Sequence, residues 1–234
     1  MKYIKVLLIT SMTIIMLSCH SSSKNSDTSL TKNNIVNCLT NLNLAYEELL
    51  SLDEVAETLS ISTDAIKKKS IDRKDQYGNV YYFWESDRPH ILSRLSVHVE
   101  IPDDNFLGLG SLHKFDESYT PQEIINIFES RYQKLSNEEQ KIIKENIDKH
   151  FSENNVENKK DAEKFVELRE KNYYYKIEDF GESSFWRFNS DNGGELIVLY
   201  GKEQFNIYVK TSNKPKDNLE IAKKAARIVM SKCI

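Results

Sequence analysis

The sequence predicts an α+β domain: an antiparallel sheet backed by helices, with a helical insertion between two strand-rich halves. Three observations carry this. Short aromatic and β-branched runs bounded by turn residues fall into two groups, residues 80–101 and 173–210. The segment between them, Thr120 to Lys171, is highly charged and carries repeated helix-start signatures. The chain closes on a single apolar stripe at helical spacing, Leu219, Ala222, Ala225, Ala226, Val229 and Cys233. With 39% hydrophobic residues, the stretch 35–234 is long enough to bury one ordinary core.

The amino terminus reads as an address. Lys2 and Lys5 precede the mostly apolar run Val6–Leu17, which is too short to span a bilayer, and then Ser18-Cys19. Ile15-Met16-Leu17-Ser18-Cys19 resembles the lipobox of bacterial lipoproteins. The resemblance implies that residues 1–18 are a signal peptide and that Cys19 becomes the acylated first residue, anchoring the protein to a membrane. Several acyl chains make such an anchor stable, because each buried methylene adds roughly 0.8 kcal/mol. His20 rather than Asp follows the cysteine, which by the same resemblance favours an outer-membrane location in an organism that has one. Residues 19–34 are too polar to build a core and read as a flexible tether.

With Cys19 taken by lipid, Cys38 and Cys233 remain. In an oxidising compartment a leftover pair at the two ends of a domain reads as a disulfide, the alternative being two unrelated buried thiols. Closing so long a loop stabilises by about 5 kcal/mol in the chain-entropy model. No Cys-x-x-Cys or companion His supports a redox or metal role.

Along the chain, residues 41–50 make an amphipathic turn or two, and Ser51-Leu52-Asp53-Glu54 is a capping box opening a helix through Leu59. Residues 60–72 suggest an early strand, with Lys67-Lys68-Lys69 as its solvated edge. Val80–Glu85 is a strand by its aromatic content. Leu95, Val97, Val99 and Ile101 alternate with polar residues in a second strand that Pro102-Asp103-Asp104-Asn105 is expected to end. Phe106-Leu107-Gly108-Leu109-Gly110 reads as an apolar loop on the core. Thr120-Pro121-Gln122-Glu123 and Ser136-Asn137-Glu138-Glu139 start helices with apolar sides at Ile124, Ile127, Phe128 and Tyr132, and at Ile142, Ile143, Ile147 and Phe151. Residues 161–169 add a third.

The sheet pattern resumes at Tyr173. Ser184–Phe188, Glu195–Tyr200 and Gln204–Lys210 are strands separated by Asp191-Asn192-Gly193-Gly194 and Gly201-Lys202-Glu203, which supply hairpin turns. Leu196–Tyr200 is apolar on both faces, as a covered strand is. Phe205, Ile207 and Val209 alternate with polar partners, which predicts a half-exposed strand, and Asn218 is expected to cap the final helix.

Leu50-Ser51-Leu52-Asp53-Glu54-Val55-Ala56-Glu57-Thr58-Leu59 is similar to the opening of small exported lipoproteins with a PsbP-like fold. Glu178-Asp179-Phe180-Gly181-Glu182-Ser183-Ser184-Phe185-Trp186, with the strands and Ala-rich helix that follow, resembles their carboxyl half. The resemblance implies an antiparallel sheet backed by helices, often without enzymatic activity. It leaves out Thr120–Lys171 and carries over no functional residue.

The formal charge of −4 becomes −6 without Lys2 and Lys5, which argues against a nucleic-acid partner. The spacing of His20, His90, His98, His113 and His150 matches no zinc-hydrolase pattern. Neither a phosphate loop nor a nucleophile elbow is present, so no catalytic residue, metal or cofactor is assigned. The most unusual polar cluster is Trp84-Glu85-Ser86-Asp87-Arg88-Pro89-His90. Trp84, Glu85, Asp87, Arg88 and His90 form a candidate binding set; the competing reading is a solvated turn in which Glu85 and Asp87 pair with Arg88 and Pro89 ends the strand. The expected function is a membrane-anchored, non-catalytic lipoprotein binding a protein partner in the cell envelope, an immunity-type protein being one version. An envelope enzyme or small-ligand carrier with its site near residues 84–90 is the alternative.

Overall fold

The computed structural model describes residues 38–71, 73, 77–94, 97–151, 156–171 and 174–233. The segments expected as signal peptide and tether, with Cys19, lie outside them, as do residues 95, 96 and Tyr173. The described chain runs α1 (Cys38–Asn41), α2 (Tyr46–Leu49), α3 (Leu52–Leu59), β1 (Lys67–Ile71), β2 (Asn79–Arg94), β3 (Val97–Lys114), α4 (Pro121–Tyr132), α5 (Asn137–His150), α6 (Val156–Lys171), β4 (Tyr175–Ile177), β5 (Ser183–Asn189), β6 (Gly193–Tyr200), β7 (Glu203–Lys210) and α7 (Pro215–Ser231). The strands form one seven-stranded sheet in the order β1-β2-β3-β7-β6-β5-β4, and every pair is antiparallel. Two meanders therefore meet where β3 pairs with β7, and the fold is α+β as the two groups of strand signals predict.

Helix starts follow local chemistry. Ser51, Thr120 and Ser136 each accept from the amide of a Glu three residues on, and that Glu reaches back, opening α3, α4 and α5. Alternate strand residues face opposite sides of the sheet. On one side Val80, Tyr82, Leu107, Leu109, Ile207, Val209, Leu196 and Val198 are buried beneath α3 and α7, whose Ala222, Ala225, Ala226 and Val229 close the core. Small side chains there let the helix approach the sheet closely. On the other side α4 places Ile124 and Phe128 against Phe185, Ile197 and Leu199. Leu196–Tyr200 is covered on both faces, as its composition predicts.

The ends of the domain converge. Glu203, fully buried, accepts from the amides of Leu39 (2.8 Å) and Thr40 (2.7 Å) at the start of α1. Cys38 and Cys233 have their Cα atoms 5.7 Å apart, within the span a disulfide bridges.

Several local expectations are corrected. β3 does not stop at Pro102–Asn105 but runs through it, and β2 likewise passes Pro89. Pro89 pairs with Pro102 in a two-stranded ribbon, flanked by neither β1 nor β7, so a missing amide costs no ladder bond. Phe106–Gly110 is not a loop but the part of β3 that pairs with both β2 and β7. β7 is not half exposed: it is the central strand, with Gln204, Asn206 and Lys210 buried on its polar side. α5 buries none of its residues, and Ile142 is 49% exposed. The α5 and α6 helices instead lie together, with Lys159 bonded to Asp148 at 2.6 Å.

Asn218 does not cap α7, which opens at Pro215. It is fully buried one turn in, where its Oδ1 accepts from the Thr211 amide (2.8 Å) and its Nδ2 donates to the carbonyls of Ser212 (2.6 Å) and Lys214 (2.9 Å). Asn218→Leu keeps the branched side-chain shape but strands all three backbone groups, so it is expected to cost about 2–3 kcal/mol in urea unfolding. A loss under about 0.5 kcal/mol, the scale of a surface substitution, contradicts that account.

Candidate functional site

Register builds the site. Residues directly opposed in antiparallel strands share a face, and on the side away from α7 one row crosses six strands: Lys69, Tyr81, Gly108, Tyr208, Glu195 and Arg187. Beside it lie Lys67, Phe83, Phe106 and Lys210. The α4 helix covers the β5 and β6 end of this face, whereas Tyr81, Phe83, Phe106 and Tyr208 are half-buried, each keeping part of its ring in solvent. Gly108 makes their arrangement possible. A Cβ there would stand 2.5 Å from the Tyr81 ring. Without one, Tyr81 and Tyr208 lean over the glycine until their centroids are 5.6 Å apart, with Phe106 6.2 Å from both Tyr81 and Phe83. Offset and edge contacts at these distances favour one another.

Glu195 anchors the far end. Its Oε2 accepts from the Tyr174 hydroxyl (2.7 Å) and the Arg187 guanidinium (2.7 Å), and its Oε1 from Asn206 Nδ2 (2.9 Å). Arg187 also lies 4.7 Å from the Tyr174 ring centroid. Asn206 Nδ2 and the Ser111 hydroxyl contact the Tyr208 hydroxyl, while Gln204 donates to Tyr132 at 2.8 Å. Burial and the Glu195 charge push the Tyr81 and Tyr174 hydroxyls well above their ordinary range and raise that of Tyr208. Burial does the same to Tyr132. These phenols stay protonated donors. With three donors fixed on Glu195, the row presents rings and oriented dipoles.

The candidate set near residue 84 divides. Trp84 and Glu85 line a cleft of ≈ 640 Å³ with Ile61, Asp64, Phe83 and Asp104, bordered by Lys67–Lys69. Trp84 also packs on the main core. Asp87 is exposed outside that cleft. Arg88 does not pair with Glu85 or Asp87; its guanidinium reaches Asp103 at 3.4 Å, across the ribbon. His90 stands opposite Ile101 in β2, and its side chain lies outside what is described. The turn reading is also overturned, since β2 continues with only a register shift between Glu85 and Pro89. Among the described residues no three of His, Cys, Asp and Glu converge as metal ligands, and no helix is long and apolar enough to cross a membrane.

No family model, curated protein or solved structure matches this chain. The site therefore stands on its own geometry. The sequence reading missed the row of Tyr81, Tyr208 and Glu195. Its only local trace is aromatic or polar residues at alternate strand positions, with Gly108 and Gly110 two apart.

Asp103 closes the sheet beside the row. It accepts from Lys210 Nζ at 2.8 Å as well as from Arg88, with Asp103 and Lys210 side chains 17% and 7% exposed. Burial alone would raise its carboxyl, but the Lys210 hydrogen bond and the Lys210 and Arg88 charges outweigh burial and hold it below the ordinary 3.8. The folded value lies below the unfolded one, so the stabilisation is complete at neutral pH and is lost as pH falls below about 3.8 through the folded value. Asp103→Asn is expected to cost about 1–3 kcal/mol at pH 7. In denaturant melts across pH, its gap from wild type should shrink in acid; a gap unchanged at low pH refutes the linkage.

Proposed function

We propose that this is an exported lipoprotein, held at a membrane of the cell envelope by lipid on Cys19, whose α+β domain binds a protein partner through the open part of its sheet. The observation that carries the binding reading is the half-buried group Tyr81, Phe83, Phe106 and Tyr208, a run of rings on the face whose β5 and β6 end α4 covers. Aromatic rings held rigidly by their neighbours give large contact area at small entropic cost, which is why they dominate binding surfaces. An immunity-type role, neutralising a toxin in the periplasm, is one version of this reading. The cleft beside Trp84 and Glu85 favours a second reading, a small-ligand carrier, because ≈ 640 Å³ is the size of a small-molecule site.

The scaffold behind the proposal is PsbP-like, with residues 120–171 as an insertion. Its support is that β3 and β7 pair directly, so the sheet is continuous without the segment between β3 and β4. A Cys38–Cys233 disulfide, supported by their proximity, would tie the start of the domain to its last helix.

Intact mass of the membrane-extracted protein tests the anchor and the bridge together. The expected species begins at Cys19, carries acyl chains and gains two hydrogens on reduction, and Cys19→Ser moves the protein to the soluble fraction. An unacylated product, or no mass gain on reduction, removes the corresponding element. For the binding face, Phe83→Ser with Phe106→Ser should weaken crosslinked capture of envelope protein at least 30-fold, about 2 kcal/mol, while the circular dichroism spectrum stays native. Capture equal to wild type sinks the aromatic-face reading.

A further inference from the structure

The two edges of the sheet differ. β4 is three residues long, whereas β1 offers five, Lys67–Ile71, in uninterrupted register with β2 and exposed throughout. Its outer side pairs with no strand among the described residues. β1 contains no proline and shows no register shift, the devices that commonly blunt such an edge. What it carries instead is lysine.

The three lysines do not serve alike. Lys68 opposes Tyr82 on the α7 side of the sheet and pairs with Glu47 of α2. Lys67 and Lys69 oppose Phe83 and Tyr81 on the other side, at the end of the aromatic row, and form no ion pair among the described residues. At the Lys67 end opens the ≈ 640 Å³ cleft, with Ile61, Phe83 and Trp84 as apolar wall.

Two copies of this edge cannot pair comfortably in full overlap, because the antiparallel self-register that uses all five residues sets Lys69 opposite Lys69. A foreign strand with carboxylates two residues apart meets the opposite condition: both fall on one face, beside Lys67 and Lys69. The same side chains thus repel a second copy and select an acidic strand, which is how specificity is usually achieved.

We propose that β1 is a docking edge for an extended segment of a partner protein, which adds as an eighth strand. Backbone hydrogen bonds along Lys67–Ile71 hold the segment. Acidic residues at alternate positions face Lys67 and Lys69, and an apolar side chain beyond them enters the cleft against Phe83 and Trp84. The proposal rests on the protein-binding reading above and specifies where and what that partner presents.

The test uses the full-length protein in detergent and a capped synthetic peptide, Thr-Glu-Val-Glu-Val-Leu-Thr, whose two Glu and Leu share one face. Peptide affinity is measured by fluorescence anisotropy, and backbone protection by hydrogen exchange. The expected result is slowed exchange within residues 67–71, affinity that falls with added salt, and at least tenfold weaker binding to the Lys67→Glu, Lys69→Glu double variant. The matching peptide with Lys in place of Glu should bind that variant instead of wild type. Because both lysines are exposed, the variant should fold normally, and Lys67→Gln with Lys69→Gln gives an intermediate check. Equal binding to wild type and charge-reversed protein, protection elsewhere, or no binding to wild type each overturns strand addition at β1. Capture through Phe83 and Phe106 is measured separately, so its survival alongside such a result leaves the partner reading standing without this edge.

Discussion

The pairing of β3 with β7 is the constraint on which the rest of the structure depends. Each meander forms between neighbours in sequence, but Phe106 meets Lys210 and Lys114 meets Glu203 only after the chain has passed through three helices and three strands. That closure costs chain entropy before any contact rewards it. The reward is the burial that follows: Leu109 comes beside Ile207, Ile207 beside Leu196, and the alanines of α7 close over them. The same register decides the opposite face, where it sets Gly108 between Tyr81 and Tyr208.

The two faces hold the register in different ways. One is apolar and non-directional; the other is a network through Glu195, Asn206, Arg187, Tyr174 and Tyr208. A slip of one residue in β7 would drive Asn206 into the α7 core and bring Ile207 beside the Glu195 carboxylate. Both changes leave polar groups unpaired in a poorly solvated site. The polar residues of the central strand therefore specify its position, although each contributes little to burial. Glu203 acts similarly at the strand's start, where it binds the amides that begin α1.

What was legible in the sequence is what is local. Capping boxes at Ser51, Thr120 and Ser136 and the glycine turns around β6 need only a few adjacent residues, and they stand where the spacing puts them. Pro102–Asn105 misled because proline and aspartate break strands only where the ladder needs their amides or their side chains meet apolar surface, and here the flanking strands have ended. Phe106–Gly110 misled because glycine is a poor strand former by itself; rings from β2 and β7 fill the space its missing side chains leave. Asn218 was recognised as a residue that binds backbone amides, but the amide it takes, that of Thr211, precedes the helix. The row through Tyr81, Tyr208 and Glu195 needs the register of six strands, which no window of sequence contains. Trp84 and Glu85 stand out in the sequence as an aromatic beside a charge, but the lysines and Asp64 that line a cleft with them come from an earlier segment.

The charged group around Arg88 shows what the unusual residues accomplish structurally. β1 pairs with β2 only as far as Phe83, and β7 pairs with β3 only from Phe106 onward, so beyond these points the β2–β3 ribbon loses both neighbours. A two-stranded ribbon alone is marginal in water. At this boundary side chains take over the duties of missing strands: Asn105 Nδ2 donates to the Glu85 carbonyl at 3.0 Å, and Lys210 Nζ to the Asp191 carbonyl at 2.7 Å. Asp103 then joins Lys210 of the central strand to Arg88 of the ribbon. Charge at Arg88 thus belongs to the root of the ribbon, holding it to the sheet, and this is why it turns away from Glu85 and Asp87. The cleft beside Trp84 keeps its own carboxylates, Asp64, Glu85 and Asp104, without the arginine, so among the described residues the cations that line it are those of the β1 edge.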